Sequence, residues 1–246
     1  MHKQRLKFDL LVHDLKVPLA VIEAGASSLI QRMEKYGPLT DRQIKVLKRI
    51  LRNTKTTQRL VNDALELGRS SEGILHKQNF LLSDFIEDSI VEIFDLTDSE
   101  AAEKVKGCVS LAATKDMLEK RGIFLEVDEA LWCREICMDE SKMKQVLRNL
   151  LSNAIKYRKQ RVEITVQEGD NTLRISVADD GDGIPADFHE KIFECYFQMN
   201  MEEQYCVRGH GLGLGGVMIL VEDMGGRLKL DSDVGKGTLF SVEVPY

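Results

Sequence analysis

Two stretches near the start of the chain repeat apolar residues at alternating steps of three and four, and that spacing restricts the N-terminal segment to a pair of helices. The first runs through Phe8, Val12, Leu15, Leu19, Ile22, Ala26, Leu29 and Met33, the second through Ile44, Leu47, Leu51, Thr54, Gln58, Val61 and Leu65. Between them stands YGPLTD at 36–41, where Gly37 and Pro38 end one helix and Thr40 or Asp41 can cap the next. A short turn between two such seams makes an antiparallel hairpin. A two-helix hairpin alone buries too little apolar surface to be stable, so the spacing predicts a second copy that completes a four-helix bundle, and hence a homodimer.

The stretch HDLKVPLAV at 13–21 departs from this regularity. His13 lies off the seam, Asp14 follows it, and Pro18 stands inside the helix, where a missing backbone hydrogen bond costs about 3 kcal/mol. A lone histidine on a helix is ordinarily a solvent-facing residue. Its role has to be decided by the rest of the chain.

At 246 residues there is room for two domains with cores of their own. A hydrophobic fraction of 43%, a charged fraction of 30% and a net charge of -6 describe a globular chain and exclude an electrostatic case for nucleic acid or anionic membrane as the main partner. No apolar run reaches membrane-spanning length, and Met1 leads directly into a charged helix, so a cytoplasmic location with no membrane segment is expected. Cys108, Cys133, Cys137, Cys195 and Cys206 include no CxxC pair and read as reduced thiols rather than a zinc site.

The pattern divides the chain into a helical hairpin at 1–68, a linker at 69–78 opened by GRSSEG, and a second domain at 79–246. In the second domain, Asp84 followed by Glu87 resembles a capping box ahead of Phe85, Ile86, Ile90 and Ile93. Strands are expected at 122–127, 132–137, 162–167, 172–178, 227–231 and 238–244, and long helices at 139–158 and about 212–224. The expected fold is therefore an α-helical hairpin dimerising into a four-helix bundle, followed by an α/β sandwich with helices over one face of a mixed sheet.

Five segments of the second domain carry candidate chemistry. NLLSNAIKY at 149–157 sets Asn149, Asn153 and Lys156 on one helical face, either as helix–helix anchors or as a magnesium ligand and phosphate contacts. DDGDGIP at 179–185 places Asp179 at a strand end, as part of a glycine-closed turn or as an acceptor for an exocyclic amine such as adenine's. RGHGLGLGG at 208–216 offers backbone N–H groups at a helix N-terminus, suited to phosphate or to a flexible lid. Phe193 and Phe197 in IFECYFQM stand one helical turn apart, as core residues do, and Thr238 opens the last strand as a turn closer or a ligand contact.

Taken in order, the histidine-bearing hairpin, NLLSNAIKY, DDGDGIP, IFECYFQ, GHGLGLGG and GKGTLF resemble the catalytic core of a two-component sensor histidine kinase, from about Lys7 to Val244. The resemblance implies a second domain of the histidine kinase, gyrase and chaperone type that binds ATP and Mg2+. It implies that His13 attacks the γ-phosphate of ATP, that Asp14 polarises the ring, and that the phosphoryl group passes to an aspartate of a response regulator receiver domain. Lys16 and Pro18 also fit that motif.

In the nucleotide site, the resemblance implies Asn149 and Asn153 as ligands, with Asn153 on the metal, Lys156 reaching phosphate and Tyr157 beside the nucleoside. Asp179 receives the adenine amino group, Gly181 and Gly183 allow close backbone approach, and Thr238 joins the nucleotide contacts. Gly209, Gly211 and Gly213 form the phosphate loop, Arg208 touches phosphate, and Phe193 and Phe197 anchor the lid. The gyrase- and chaperone-type ATPases activate water with a glutamate four residues before the magnesium asparagine. This chain has Asn149 there, which favours transfer to His13 over rapid hydrolysis.

Three departures stand out. Val17 replaces the Thr or Asn that orients a dephosphorylating water in many relatives, which implies weak phosphatase activity. Residues 95–122 exceed the usual connection and are expected to add helix, with Asp98 or Ser99 capping a run through Val105, Val109 and Ala112. The lid between Phe197 and Gly209 is short. The alternative to a kinase is a catalytically weak docking scaffold.

Overall fold

Capping chemistry at Thr40 marks where the first helical seam turns back. Thr40 Oγ1 accepts from Gln43 N at 3.3 Å and Gln43 Oε1 accepts from Thr40 N at 2.8 Å, a reciprocal capping box. The computed structural model describes residues 2–70, 75–97, 99–106, 110–194 and 213–246, with side chains from Asp14 onward except at 59, 63–70, 96–97, 99–100 and 106. The chain forms two compact units, 1–69 and 70–246.

The first unit holds α1 (His2–Gln31), a single turn α2 (Met33–Tyr36) and α3 (Asp41–Ser70). Pro18 lies within α1, which runs through it as one helix. Ala26 and Thr54 are buried, and Gln58 Nε2 donates to Glu23 Oε2 at 3.0 Å, so α1 and α3 pair antiparallel. Seam residues Leu15 and Ile22 remain 43% and 46% exposed on the single chain.

The second unit begins with β1 (Gln78–Leu81), paired antiparallel with β3 (Glu135–Met138). β1 runs straight into α4 (Leu82–Thr97), because Leu82 N is held by Arg134 O at 3.0 Å. Asp84 therefore lies inside the first turn rather than before it, and the expected capping box does not head the helix. Glu87 instead accepts from Thr114 Oγ1 at 2.9 Å.

The long connection contains two helices, α5 (Ser99–Lys106) and α6 (Leu111–Glu119), where one run had been expected. Ser110 caps the second by accepting from Ala113 N at 3.3 Å, and residues 107–109 with Val109 lie outside the described residues. Both helices bury apolar faces: Ala101, Ala102 and Val105 on α5, Met117 and Leu118 on α6.

β2 (Ile123–Val127), the short helix α7 (Glu129–Trp132) and β3 lead to α8 (Glu140–Tyr157). β4 (Val162–Gly169) and β5 (Thr172–Asp179) follow, then α9 (Gly213–Asp223), β6 (Arg227–Asp233) and β7 (Gly237–Pro245). The five-stranded sheet has the order β2-β4-β5-β7-β6, with β2 parallel to β4 and the other pairs antiparallel. Alternation sorts its faces. Ile164, Val166, Ile175, Val177, Phe240 and Val242 bury one face, while Arg174, Ser176, Ser241 and Glu243 occupy the other. Met143, Val146, Leu147, Leu150 and Leu151 of α8 and Val217, Leu220 and Val221 of α9 complete the core.

Because Leu118 is fully buried, the inserted helices belong to the core rather than decorating it. Leu118→Ala is expected to destabilise the second unit by about 2–5 kcal/mol, read as a lower urea midpoint.

Candidate functional site

The buried face of the sheet turns polar at one end. Val162 stands opposite Asp179, Asp179 opposite Thr238, and Thr238 opposite Ser232, so three polar residues share a row with one valine. Ser232 and Thr238 are buried and Asp179 is half-buried.

Asp179 Oδ1 accepts from Gly181 N at 2.9 Å. Burial pushes its carboxyl above the ordinary aspartate range and the neighbouring Asp180 charge adds to that, while backbone hydrogen bonds from Gly181 and Thr238 pull the other way. Asp180 points elsewhere: it accepts from Lys159 N and Gln160 N at 2.8 and 3.0 Å, tying the loop to the segment after α8.

Ser232 holds the loop from the other side. Its hydroxyl accepts from Ile184 N at 2.8 Å, donates to Gly237 O at 2.9 Å, and meets Thr238 Oγ1 at 3.1 Å. With its single proton committed to Gly237, the Thr238 hydroxyl is the donor to it. Gly235 N also donates to Asp182 O at 2.7 Å. The loop and the β6–β7 turn are thus one hydrogen-bonded piece.

Two glycines make that piece possible. Gly183 has φ +74°, and a Cβ on it would lie 1.9 Å from Asp233 O; a Cβ on Gly181 would lie 2.5 Å from Tyr157 O. The close approach they permit in the structure is of chain to chain.

α8 supplies the facing amides. Its start is capped by Asp139, whose Oδ1 accepts from Lys142 N at 3.1 Å and whose Oδ2 accepts from His76 N at 3.0 Å. Asn149 and Asn153 are half-buried on the rim of its apolar face. Asn149 Nδ2 donates to Gly213 O at 3.4 Å, at the opening of α9. Lys156 is turned onto Tyr157, with Nζ 2.8 Å from the phenol oxygen and 4.5 Å from the ring centroid, and Tyr157 is 58% exposed.

Phe193 sits in a short 3₁₀ turn with its ring edge-on to Phe240 at 6.4 Å, which anchors the segment leading away from the loop. Phe197, Arg208, Gly209 and Gly211 lie outside the described residues. His13 falls within α1 of the other unit, beside the exposed Asp14, and its side chain is outside the described set.

Ser232 has no counterpart among the expected site residues. Its signal was slight, a serine six residues before Thr238 on an antiparallel neighbour. A hollow of about 780 Å³ between α6, β2, α7 and β4 opens at the opposite end of the sheet. Both its cations are engaged, Arg134 with Glu168 and Lys115 with Val127 O, and it holds none of the expected residues.

The donor set fits a nucleotide with its metal. No group of three His, Cys, Asp or Glu among the described residues could hold a cation alone. A hard divalent ion with one or two protein oxygens and phosphates completing its shell is what Asn153 can serve, since no described residue pairs with its amide. Asp179 offers an acceptor to a base amine, and the start of α9 offers N–H donors.

Known protein families resemble the chain over both of its units. Residues 8–73 match the His Kinase A (phospho-acceptor) domain, and residues 138–246 match the family described as histidine kinase-, DNA gyrase B-, and HSP90-like ATPase. The sensor histidine kinase WalK of Bacillus subtilis is 28% identical, over 100% of this chain and 37% of its own. The histidine protein kinase DivJ of Caulobacter vibrioides is 30% identical, over 95% of this chain and 36% of its own. The chain thus spans about a third of the length of these relatives.

Full-length ShkA, solved in complex with AMPPNP, shares the fold with a TM-score of 0.63 at 24% identity, covering 97% of this chain and 45% of that one. The catalytic domain of the histidine kinase ThkA superposes with a TM-score of 0.50 at 26% identity, covering 69% of this chain and 95% of that one.

Because burial disfavours the charged form of Asp179, neutralising it should relieve the fold. Its folded pKa lies above the unfolded value, so the stabilising contribution is full below the ordinary aspartate pKa of about 3.9 and lost as pH rises through the folded value. Asp179→Asn is expected to have the higher urea midpoint at pH 7, with the difference closing as pH falls toward about 4.

Proposed function

The chain belongs to the two-component sensor histidine kinase family, and from that premise we propose that it is an ATP-dependent protein kinase that phosphorylates its own His13 and passes the phosphoryl group to an aspartate of a response regulator. What carries this reading is that one chain joins a phospho-acceptor segment containing His13 to an ATPase-type unit with the Asp179 row intact.

In the second unit, Asp179 accepts the adenine amino group, with Thr238 beside it. Asn149 and Asn153 face the phosphates, and Lys156 can swing from Tyr157 to meet them. Gly209, Gly211 and Gly213 present N–H groups to the phosphate chain and Arg208 adds a cation. Asn153 would hold Mg2+, which when bound would supply neutralisation of the charge on the transferring group.

A neutral imidazole nitrogen of His13 forms the bond to the γ-phosphorus as the bond to the β,γ-bridging oxygen breaks, releasing ADP. The proton on the other ring nitrogen stays on the ring, where Asp14 accepts its hydrogen bond. An imidazole with a pKa of about 6.5 is mostly neutral at pH 7 and needs no strong base. The protein's contribution is positioning and charge stabilisation. Asn149 occupies the place of the water-activating glutamate, so transfer to His13 outruns hydrolysis.

Two copies assemble through the first unit. Leu15 and Ile22, seam residues left exposed on one chain, gain cover from the partner's helices. Val17, 53% exposed one turn beyond His13, has no group to orient water, so dephosphorylation of the regulator is slow. No described helix is long and apolar enough to cross a membrane, and Cys133 and Cys137 are free thiols, in keeping with a cytoplasmic site of action.

Incubation of the wild type and His13→Gln with γ-labelled ATP and magnesium tests the reading. Acid-labile, base-stable label is expected on the wild type and should be absent from the variant. Label that persists in His13→Gln would overturn the assignment.

A further inference from the structure

Among the described residues Lys142 is the one lysine taken fully out of water, at 2% exposure, and the phosphoryl-transfer scheme gives it no task. It stands in the first turn of α8, and its Nζ donates to Asp223 Oδ2 at 2.8 Å. Asp223 is the last residue of α9, with its side chain 17% exposed. At the other end of the same helix pair, Asn149 donates to Gly213 O at 3.4 Å, where α9 begins. The two helices therefore pack antiparallel, with a polar contact at each end and apolar residues between.

Those apolar residues define less sharply than a directional bond how far α9 slides along α8. Val217, Leu220, Val221, Met143 and Leu147 are buried without directional bonds, and hydrophobic attraction is indifferent to which apolar side chain meets which. A slip by one turn is about 5.4 Å. Such a slip would carry Gly213 away from Asn149, whereas an error of about 1 Å already weakens a reactive arrangement. A buried ion pair is satisfied in one register alone, and fixing register is the best-attested use of such pairs.

We propose that Lys142 and Asp223 are positioning residues that lock α9 in register with α8 and so place the phosphate end of the nucleotide site, without touching nucleotide. The inference rests on reading the start of α9 as the phosphate end. It separates that end from the base end, because Asp179 is held by β5, β7 and its own loop and not by α9.

The test is a comparison of ATP with magnesium and AMP, titrated into wild type and variants, with urea unfolding alongside. Lys142→Met alone leaves the Asp223 carboxylate without this partner and lowers stability, whereas Lys142→Met with Asp223→Leu replaces the pair by apolar groups and is expected to fold with a midpoint near that of wild type. In the double variant, ATP affinity should fall about tenfold, the low end for losing an orienting partner, while AMP affinity stays within about twofold. Unchanged ATP affinity in the folded double variant, or equal weakening of ATP and AMP, would overturn the register lock.

Should the double variant not fold, Asp223→Asn keeps the size and one acceptor oxygen but not the charge. It must then lower the ATP-to-AMP affinity ratio, and an unchanged ratio counts against the proposal. A wild type that binds neither nucleotide overturns the functional reading and this inference with it.

Discussion

One row of the sheet governs the rest of the second unit: Val162, Asp179, Thr238 and Ser232, set side by side by strand pairing. In an antiparallel sheet a slip of one residue would exchange the faces, moving Val177, Ile175 and Phe240 into water. The burial that stabilises the core thus also fixes where the polar row falls. Asp179 needs no separate device to face the helices, because it continues the alternation that buries Val177 two residues earlier.

That placement sets a carboxylate against its surroundings. Its burial disfavours the charged form, and the structure answers with backbone donors from Gly181 and Thr238. The loop supplying one of those donors is pinned by Ser232 and by the approach of Gly183 to the backbone of Asp233. The groups that flank this corner are held by other elements. Asn149 and Lys156 come from α8, and Gly213 from α9.

Much of the fold could be read from period alone. The seams of α1 and α3, the alternation in β4, β5 and β7, and the amphipathic α8 are local patterns that core burial rewards. Features set by distant partners could not be read so. β1 is four residues whose partner strand lies more than fifty positions away, and its pairing draws the start of α4 back to Leu82, ahead of the capping box that Asp84 and Glu87 had suggested. Ser232 acquires its importance only when β6 lies against β7, and Lys142 looks like any solvated lysine until Asp223 arrives from eighty-one residues on. The motifs around Asn153, Asp179 and Thr238 were legible as a sequence order. The pairing of Asp179 with Thr238 at one end of the sheet is a property of the topology.

If the polar row receives the base of ATP, as proposed, the protein must select among nucleotides. Adenine offers an amino group where guanine has a carbonyl oxygen, so a carboxylate acceptor discriminates between them by leaving the wrong partner unpaired. Titration of ATP and GTP into the full chain, wild type beside Asp179→Asn, should show clear preference for ATP in the wild type and a marked loss of both ATP affinity and preference in the variant. Equal affinity for the two nucleotides in the wild type, or undiminished ATP binding in Asp179→Asn, would contradict the account.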